Sequence, residues 1–227
     1  MFKIFRIILL LIFVAFPFSI NAHVQHYDNL KRIEFDIYRN NQNIGKHIFS
    51  FNKSNGQLAV ESEINFEIKK LGIVFYKYYV KGIEVYKDGE LVKFNSKTNQ
   101  NGKEKYVNMK LQNKEYVIDG SSYQGNVPKD YLLGTWWNHS IIKAKAQISA
   151  VSGRIIKQKV IFLGKEIVKI NNKSYKTLHF NFSSTDKKLS KGKRLNTDVW
   201  YDEKTLNWVK ASFKKKGEWE YRLISID

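Results

Sequence analysis

Five histidines, His23, His26, His47, His139 and His179, are the residues of this chain best suited to move protons or hold a metal. Their spacing matches no known chemistry. There is no HExxH pair to put two imidazoles and a base on one helix face. No GxSxG elbow presents a serine, and no glycine loop is placed to cradle phosphate. Asn138-His139-Ser140, with Asp130 upstream, brings hydrolase-type residues close in sequence. Adjacent residues on a helix point in different directions, so His139 is badly placed to activate Ser140. Asp198 and Asp202 share a strand face, but carboxylates at strand edges commonly serve solubility. His23 and His26 suit either a copper or nickel chelate at a freed N-terminal amine or a flexible tail. No catalytic residue, metal ligand or cofactor is assigned from these patterns, and a hydrolase is the third reading.

The aromatic residues offer a different chemistry. Tyr76, Tyr78, Trp136, Trp137, Tyr201 and Trp219, with Leu133 and Ile141, are candidates to line a cavity for an apolar or amphipathic ligand. A β-barrel of this size can enclose more volume than its side chains fill. The competing reading is that the same rings simply pack the core. "FYKYYVK" and "WVKASFKKK" interleave bases and rings as single-strand nucleic-acid binders do. Strand alternation explains both segments, and an exported protein rarely meets nucleic acid, so no nucleic-acid partner is expected.

The elements that must position these residues read almost entirely as strands. "RIEFDIYR" puts Ile33, Phe35 and Ile37 on one face, and "QLAVESEINFEI" aligns Leu58, Val60, Ser62, Ile64, Phe66 and Ile68 on one side. Turn signals such as "NNQN", "KSNG", "KDGE" and "NQNG" separate neighbouring strands. Eleven or so sequential strands predict an all-β fold, an antiparallel meander forming an open or closed soluble β-barrel. Lysines and glutamates at mid-strand argue against a transmembrane barrel, since such charges cost about 2–4 kcal/mol each at the bilayer midplane. One insertion breaks the pattern. In "PKDYLLGTWWNHSIIKAKA", Pro128 fits a helix start and Leu133, Trp137 and Ile141 recur at four-residue spacing. The expectation is a short or broken helix that closes one mouth of the barrel, with Trp137 buried and Trp136 at the rim.

Lys3 and Arg6, the apolar run Ile7 to Phe18 and Ala22 have the layout of a cleaved secretory signal peptide over residues 1–22. The run is too short to span a bilayer, for which about 20 apolar residues are needed. The alternative is an uncleaved anchor. No further long apolar run predicts a transmembrane helix in residues 23–227, which form a single domain. Cysteine is absent and the net charge is +18. Such a basic surface favours anionic partners, although lysine scattered among Asn and Ile also fits a compositional bias.

The C-terminal hairpin allows a register to be predicted. Keeping Val199 and Tyr201 on the face of Val209, Ala211 and Phe213 requires Val199 opposite Val209 and Trp200 opposite Trp208. The two tryptophans would then stack on the outer face across an odd-numbered turn around Glu203 to Thr205.

"DVWYDEKTLNWVKASFKKKGEWEYRL", "FDIYRNNQNIGKHIFSF", "VYKDGELVKFNSKTNQNGK" and "GTWWNHS" together resemble a domain-of-unknown-function family of secreted bacterial β-proteins. The resemblance covers nearly the whole chain after the leader. It implies a periplasmic β-protein akin to the half-barrels of bacterial lipoprotein carriers, and it supplies no activity. The expected function is therefore non-enzymatic and periplasmic, binding a lipid or acyl chain in envelope biogenesis. The alternative is an interaction module that docks an anionic envelope component through its lysines.

Overall fold

A computed structural model describes Tyr27 and residues 29–227. The leader segment, His23 and His26 lie outside the described residues. The chain first runs as an antiparallel meander: β1 (Arg32–Arg39), β2 (Gln42–Ser54), β3 (Gln57–Lys70), β4 (Ile73–Lys87), β5 (Glu90–Gln100), β6 (Lys103–Gln112), β7 (Glu115–Gly120) and β8 (Tyr123–Pro128). Each of the turns joining β1 through β7 holds two residues at positive φ. That backbone matches the right-handed strand twist and favours Asn, Asp and Gly. Asn40, Asn55, Asp88, Asn101 and Asn113 fill the first position of five of them, and Leu71 fills the sixth.

The second half comprises β9 (Leu132–Leu133), β10 (Ala146–Ile148), β11 (Ile155–Ile170), β12 (Lys173–Ser184), β13 (Asn196–Asp202), β14 (Trp208–Lys214) and β15 (Glu218–Ile226). β15 pairs with β1, so both halves form one 15-stranded sheet in the order β8 to β1, then β15 to β9. The expected all-β, barrel-like meander is present. The sheet is not closed by strand pairing, because β8 and β9 are its two edges. The loop after β10 crosses the gap instead. Ser122 N–H donates to the Ser152 carbonyl (2.8 Å), and Ser96 Oγ donates to the Ala150 carbonyl (2.5 Å). Gly120 makes this approach possible, since a Cβ there would stand 2.8 Å from the Ser152 carbonyl oxygen.

The core lies on the concave face, where alternation places it. Ile33, Phe35, Ile37, Leu58, Val60 and Phe66 are all buried, each such side chain contributing about 1.5–3 kcal/mol of transfer free energy. Among the described residues no helix is long and apolar enough to cross a membrane.

The expected short helix is present with narrower bounds, and the expected hairpin register is corrected. The insertion forms a five-residue 3₁₀ helix, His139–Lys143, capped by Asn138, whose side-chain oxygen accepts from Ser140 N–H (3.0 Å). Leu133 belongs to β9 rather than to that helix. The left-handed backbone of Trp136 (φ 60°) interrupts any longer helix. In the C-terminal hairpin, Val199 pairs with Ala211, Trp200 with Lys210 and Tyr201 with Trp208. Val209 is the extra residue of a β-bulge. Trp200 therefore lies on the outer face, stacked on His179 (centroids 4.2 Å apart), while Trp208 is fully buried against Phe35 (4.0 Å). The bulge buries Trp208 and Val209 together. That gain exceeds the roughly 0.2–1 kcal/mol of an exposed cross-strand aromatic pair.

Candidate functional site

The segment between β8 and β11 folds into the concavity of the sheet. Gly134 packs against the Gln147 side chain, whose amide oxygen would have to shift from the 2.5 Å at which it would meet an added Cβ. Gln158 fastens the segment from β11. Its side-chain N–H groups donate to the carbonyls of Ile141 (3.1 Å) and Ala144 (2.9 Å), and its oxygen accepts from Gln147 (2.6 Å). Trp137 is fully buried near the turns at Asn55 and Asp88, edge-on to Tyr27, Phe51 and Tyr86. Its indole Nε1 donates to Glu84 Oε1 (2.9 Å), and the Tyr86 hydroxyl donates to Glu84 Oε2 (2.5 Å). Glu84 is fully buried, and loss of solvent raises its carboxyl pKa against the opposing effect of these donors.

Beneath this plug lies a cavity of about 190 Å³. Ile64, Val80, Phe94 and, from β11, Ile156 wall it from the sheet, Trp136 walls it from the plug, and His47 adds a polar group. The Nε2 of His47 meets Ser62 Oγ at 3.0 Å, while its Nδ1 is buried with no hydrogen-bond partner. The indole nitrogens of Trp136 and of the neighbouring Trp208 are likewise buried and unpartnered. Each such group costs about 1–3 kcal/mol when left unsatisfied. Burial keeps His47 neutral, with its pKa pushed down to about 3. The Trp136 carbonyl accepts from the Tyr201 hydroxyl (3.0 Å), which holds the left-handed backbone in place.

The eight aromatic and aliphatic candidates fall into three places. Leu133, Trp137, Ile141 and Tyr201 lie in the buried plug core. Trp136 stands inward as a cavity wall, half-buried, rather than at a rim. Tyr76, Tyr78 and Trp219 lie at the end of the sheet that carries the turns at Asn40, Leu71 and Asn101, and all three are half-buried. Residues not named among the ligand-binding candidates link these groups. Trp136 touches Trp208 (5.6 Å), Trp208 touches Tyr221 (5.5 Å) and Tyr221 touches Phe213 (6.5 Å). Phe213 stacks on Trp219 (5.7 Å), which meets Phe66 (5.3 Å), and Phe66 stacks on Tyr78 (4.8 Å). Rings thus line the interior from the cavity to the far end. Glu84 was also missed, although alternation places it on the buried face of β4 with Val80 and Tyr86.

Elsewhere, His179 stands between Glu166 (Nδ1 to Oε1, 2.9 Å) and Asp198 (Nε2 to Oδ1, 3.4 Å) on the outer face. The Trp200 indole also donates to Glu166. His139 packs its ring edge-on against Tyr201 (4.9 Å). Among the described residues no three His, Cys, Asp or Glu side chains converge to hold a metal.

Residues 35–224 match a domain of unknown function, DUF6134. The chain belongs to the DUF6134 family. A crystal structure of a β-barrel-like protein from Brucella abortus, itself a domain of unknown function (DUF1849), superposes on this DUF6134 chain with a TM-score of 0.60 at 11% identity. The match covers 87% of this chain and 97% of the other, and at that identity it speaks for the fold alone. No curated protein matches this DUF6134 member.

Proposed function

We propose that this protein is a non-enzymatic periplasmic carrier that takes an apolar or amphipathic ligand, a lipid or acyl chain, into the concavity of its sheet. The observation that carries the reading is the ring-lined interior, with its cavity and unpartnered nitrogens on His47, Trp136 and Trp208. An apolar stretch satisfies the walls, and a polar group on the ligand can partner the nitrogens of the cavity-lining His47 and Trp136. At about 190 Å³ the cavity exceeds the roughly 150 Å³ that holds benzene in an engineered core, but falls short of the roughly 300–1,000 Å³ of drug-sized sites. A longer chain therefore needs Trp136 to give way or must extend along the rings toward Trp219. The left-handed backbone of Trp136 favours the first route, because strain of this kind costs about 1–3 kcal/mol and is released on rearrangement. Export is supported by the signal-like leader.

Native mass spectrometry before and after solvent extraction tests the reading. The expected result is added mass on the protein that extraction removes, and that falls in an Ile64→Trp variant whose larger ring fills the cavity. Identical spectra before and after extraction overturn it.

A further inference from the structure

The turn between β3 and β4 departs from its siblings. Five of the six left-handed turns joining β1 through β7 open with Asn or Asp, which tolerate positive φ. This one opens with Leu71 at φ 50°, followed by Gly72. A leucine in that backbone is disfavoured by its Cβ. Leu71 gains no burial in return, being 94% exposed, and Ile73 (65%) and Phe75 (60%) stand exposed beside it. The hairpin also projects. β2 reaches only to the level of Phe66 on β3 and β5 only to Tyr78 on β4, so the pairs from Glu67↔Lys77 to Lys70↔Ile73 have no flanking strand. At 3.3–3.4 Å per residue this is a knuckle roughly 13 Å long.

Cations surround it. Lys69 and Lys77 flank the apolar tip, both bridged to Glu67 (3.4 and 3.1 Å), and Lys70 adjoins Leu71. At the same end, partial burial and then the neighbouring charges of Arg154, Lys105 and Lys216 lower the ammonium pKa of Lys215. The partly exposed rings of Tyr76 and Trp219 belong to this end as well. An apolar knuckle within a basic rim complements a surface that is anionic outside and hydrocarbon inside.

We propose that this end of the protein docks on a lipid bilayer bearing anionic phospholipids. Leu71, Ile73 and Phe75 enter the acyl boundary, while Lys69, Lys70 and Lys77 meet the phosphates. Docking sets the half-buried rings of Tyr76 and Trp219 beside the membrane. The surface is independent of whether the cavity holds a ligand.

Co-sedimentation with vesicles of phosphatidylglycerol and phosphatidylethanolamine, and with phosphatidylcholine vesicles alone, tests the proposal. Wild-type protein is expected to bind the anionic vesicles and to bind the neutral ones at least about tenfold more weakly. Leu71→Asn restores the sibling turn chemistry, so its thermal midpoint should hold or rise. Its vesicle affinity should fall at least about tenfold, the scale of one exposed leucine returned to water. Absence of vesicle binding overturns the proposal. So does Leu71→Asn binding as well as wild type, which would reduce the effect to charge alone. Wild-type dimerisation in solution that Leu71→Asn abolishes, without vesicle binding, also overturns it and assigns the knuckle to a second copy of the chain.

Discussion

Trp137 and Glu84, 53 residues apart, share a 2.9 Å hydrogen bond in which neither residue retains solvent exposure. This bond ties the plug to the wall of the sheet, and its acceptor is ionisable. The folded-state pKa of Glu84 is raised, so its stabilising contribution is complete below about pH 4.5 and is lost as pH rises through the folded value. Glu84→Gln keeps an acceptor and removes the titration. The variant should gain on wild type as pH rises from 4 to 8, with the two curves parallel below pH 4. Urea midpoints across that range check this, and a constant offset between the proteins would refute it.

His47 carries the opposite sign. Its folded pKa is depressed from 6.5 to about 3 by burial, so its contribution is present above pH 6.5 and is lost as pH falls toward 3. The expected slope is about 1.4 kcal/mol per pH unit over that window. His47→Leu should be weaker at neutral pH, since Ser62 Oγ loses its partner, yet show a flatter acid limb. An unchanged acid limb would mean that other groups drive acid unfolding.

The bulge at Val209 predicts unequal effects for two tryptophans of one hairpin. Trp208→Ala empties a fully buried site and should cost about 3–5 kcal/mol. Trp200→Ala removes a ring that is 8% exposed but lies outside the core cluster, between His179 and Lys210 (5.1 Å), and should cost less, about 1–2 kcal/mol. Guanidinium unfolding of both variants distinguishes this register from one with the tryptophans side by side, in which the losses would be similar.

Gly120 is the point where the plug loop closes the gap between the two halves. Gly120→Ala forces a methyl group to 2.8 Å from the Ser152 carbonyl, a backbone atom that cannot swing aside. The amide of Ser122, whose partner is that same carbonyl, should exchange at least about tenfold faster, while amides of β1 and β15 keep wild-type protection. Uniform loss of protection would show that the loop and the sheet open as one unit.

Alternation made the sheet legible. The predicted inward face of β3 from Leu58 to Phe66 turns toward the core, and Ile33, Phe35 and Ile37 do the same. The plug was legible as a break in that pattern, with Trp137 buried as expected, at 0% exposure against 6% for His139. What strict alternation could not supply was its own exception. A bulge changes parity at one residue, so Trp208 turned inward against the pattern of its strand. The left-handed backbone at Trp136 is invisible for a similar reason, because tertiary bonds such as that from Tyr201 impose it. Glu84 and Leu71 are different. Each violates a local rule, a charge on a core face and a leucine in an asparagine position, and both violations could be read from sequence parity and turn chemistry.

Pairing of β1 with β15 joins Ile33 to Ile226, so the strand formed first in the chain is completed by the strand formed last. Until β15 exists, β1 presents a bare edge of unpaired amides and carbonyls beside a core that lacks one of its walls. Such distant pairing makes for slow folding, since a long loop must close before any contact rewards it. During that interval the β1 edge is a template for stray strands. A chain of this architecture is consequently well matched to holdase chaperones that shield an incomplete sheet, and truncation at β14 should yield aggregates rather than a smaller folded protein.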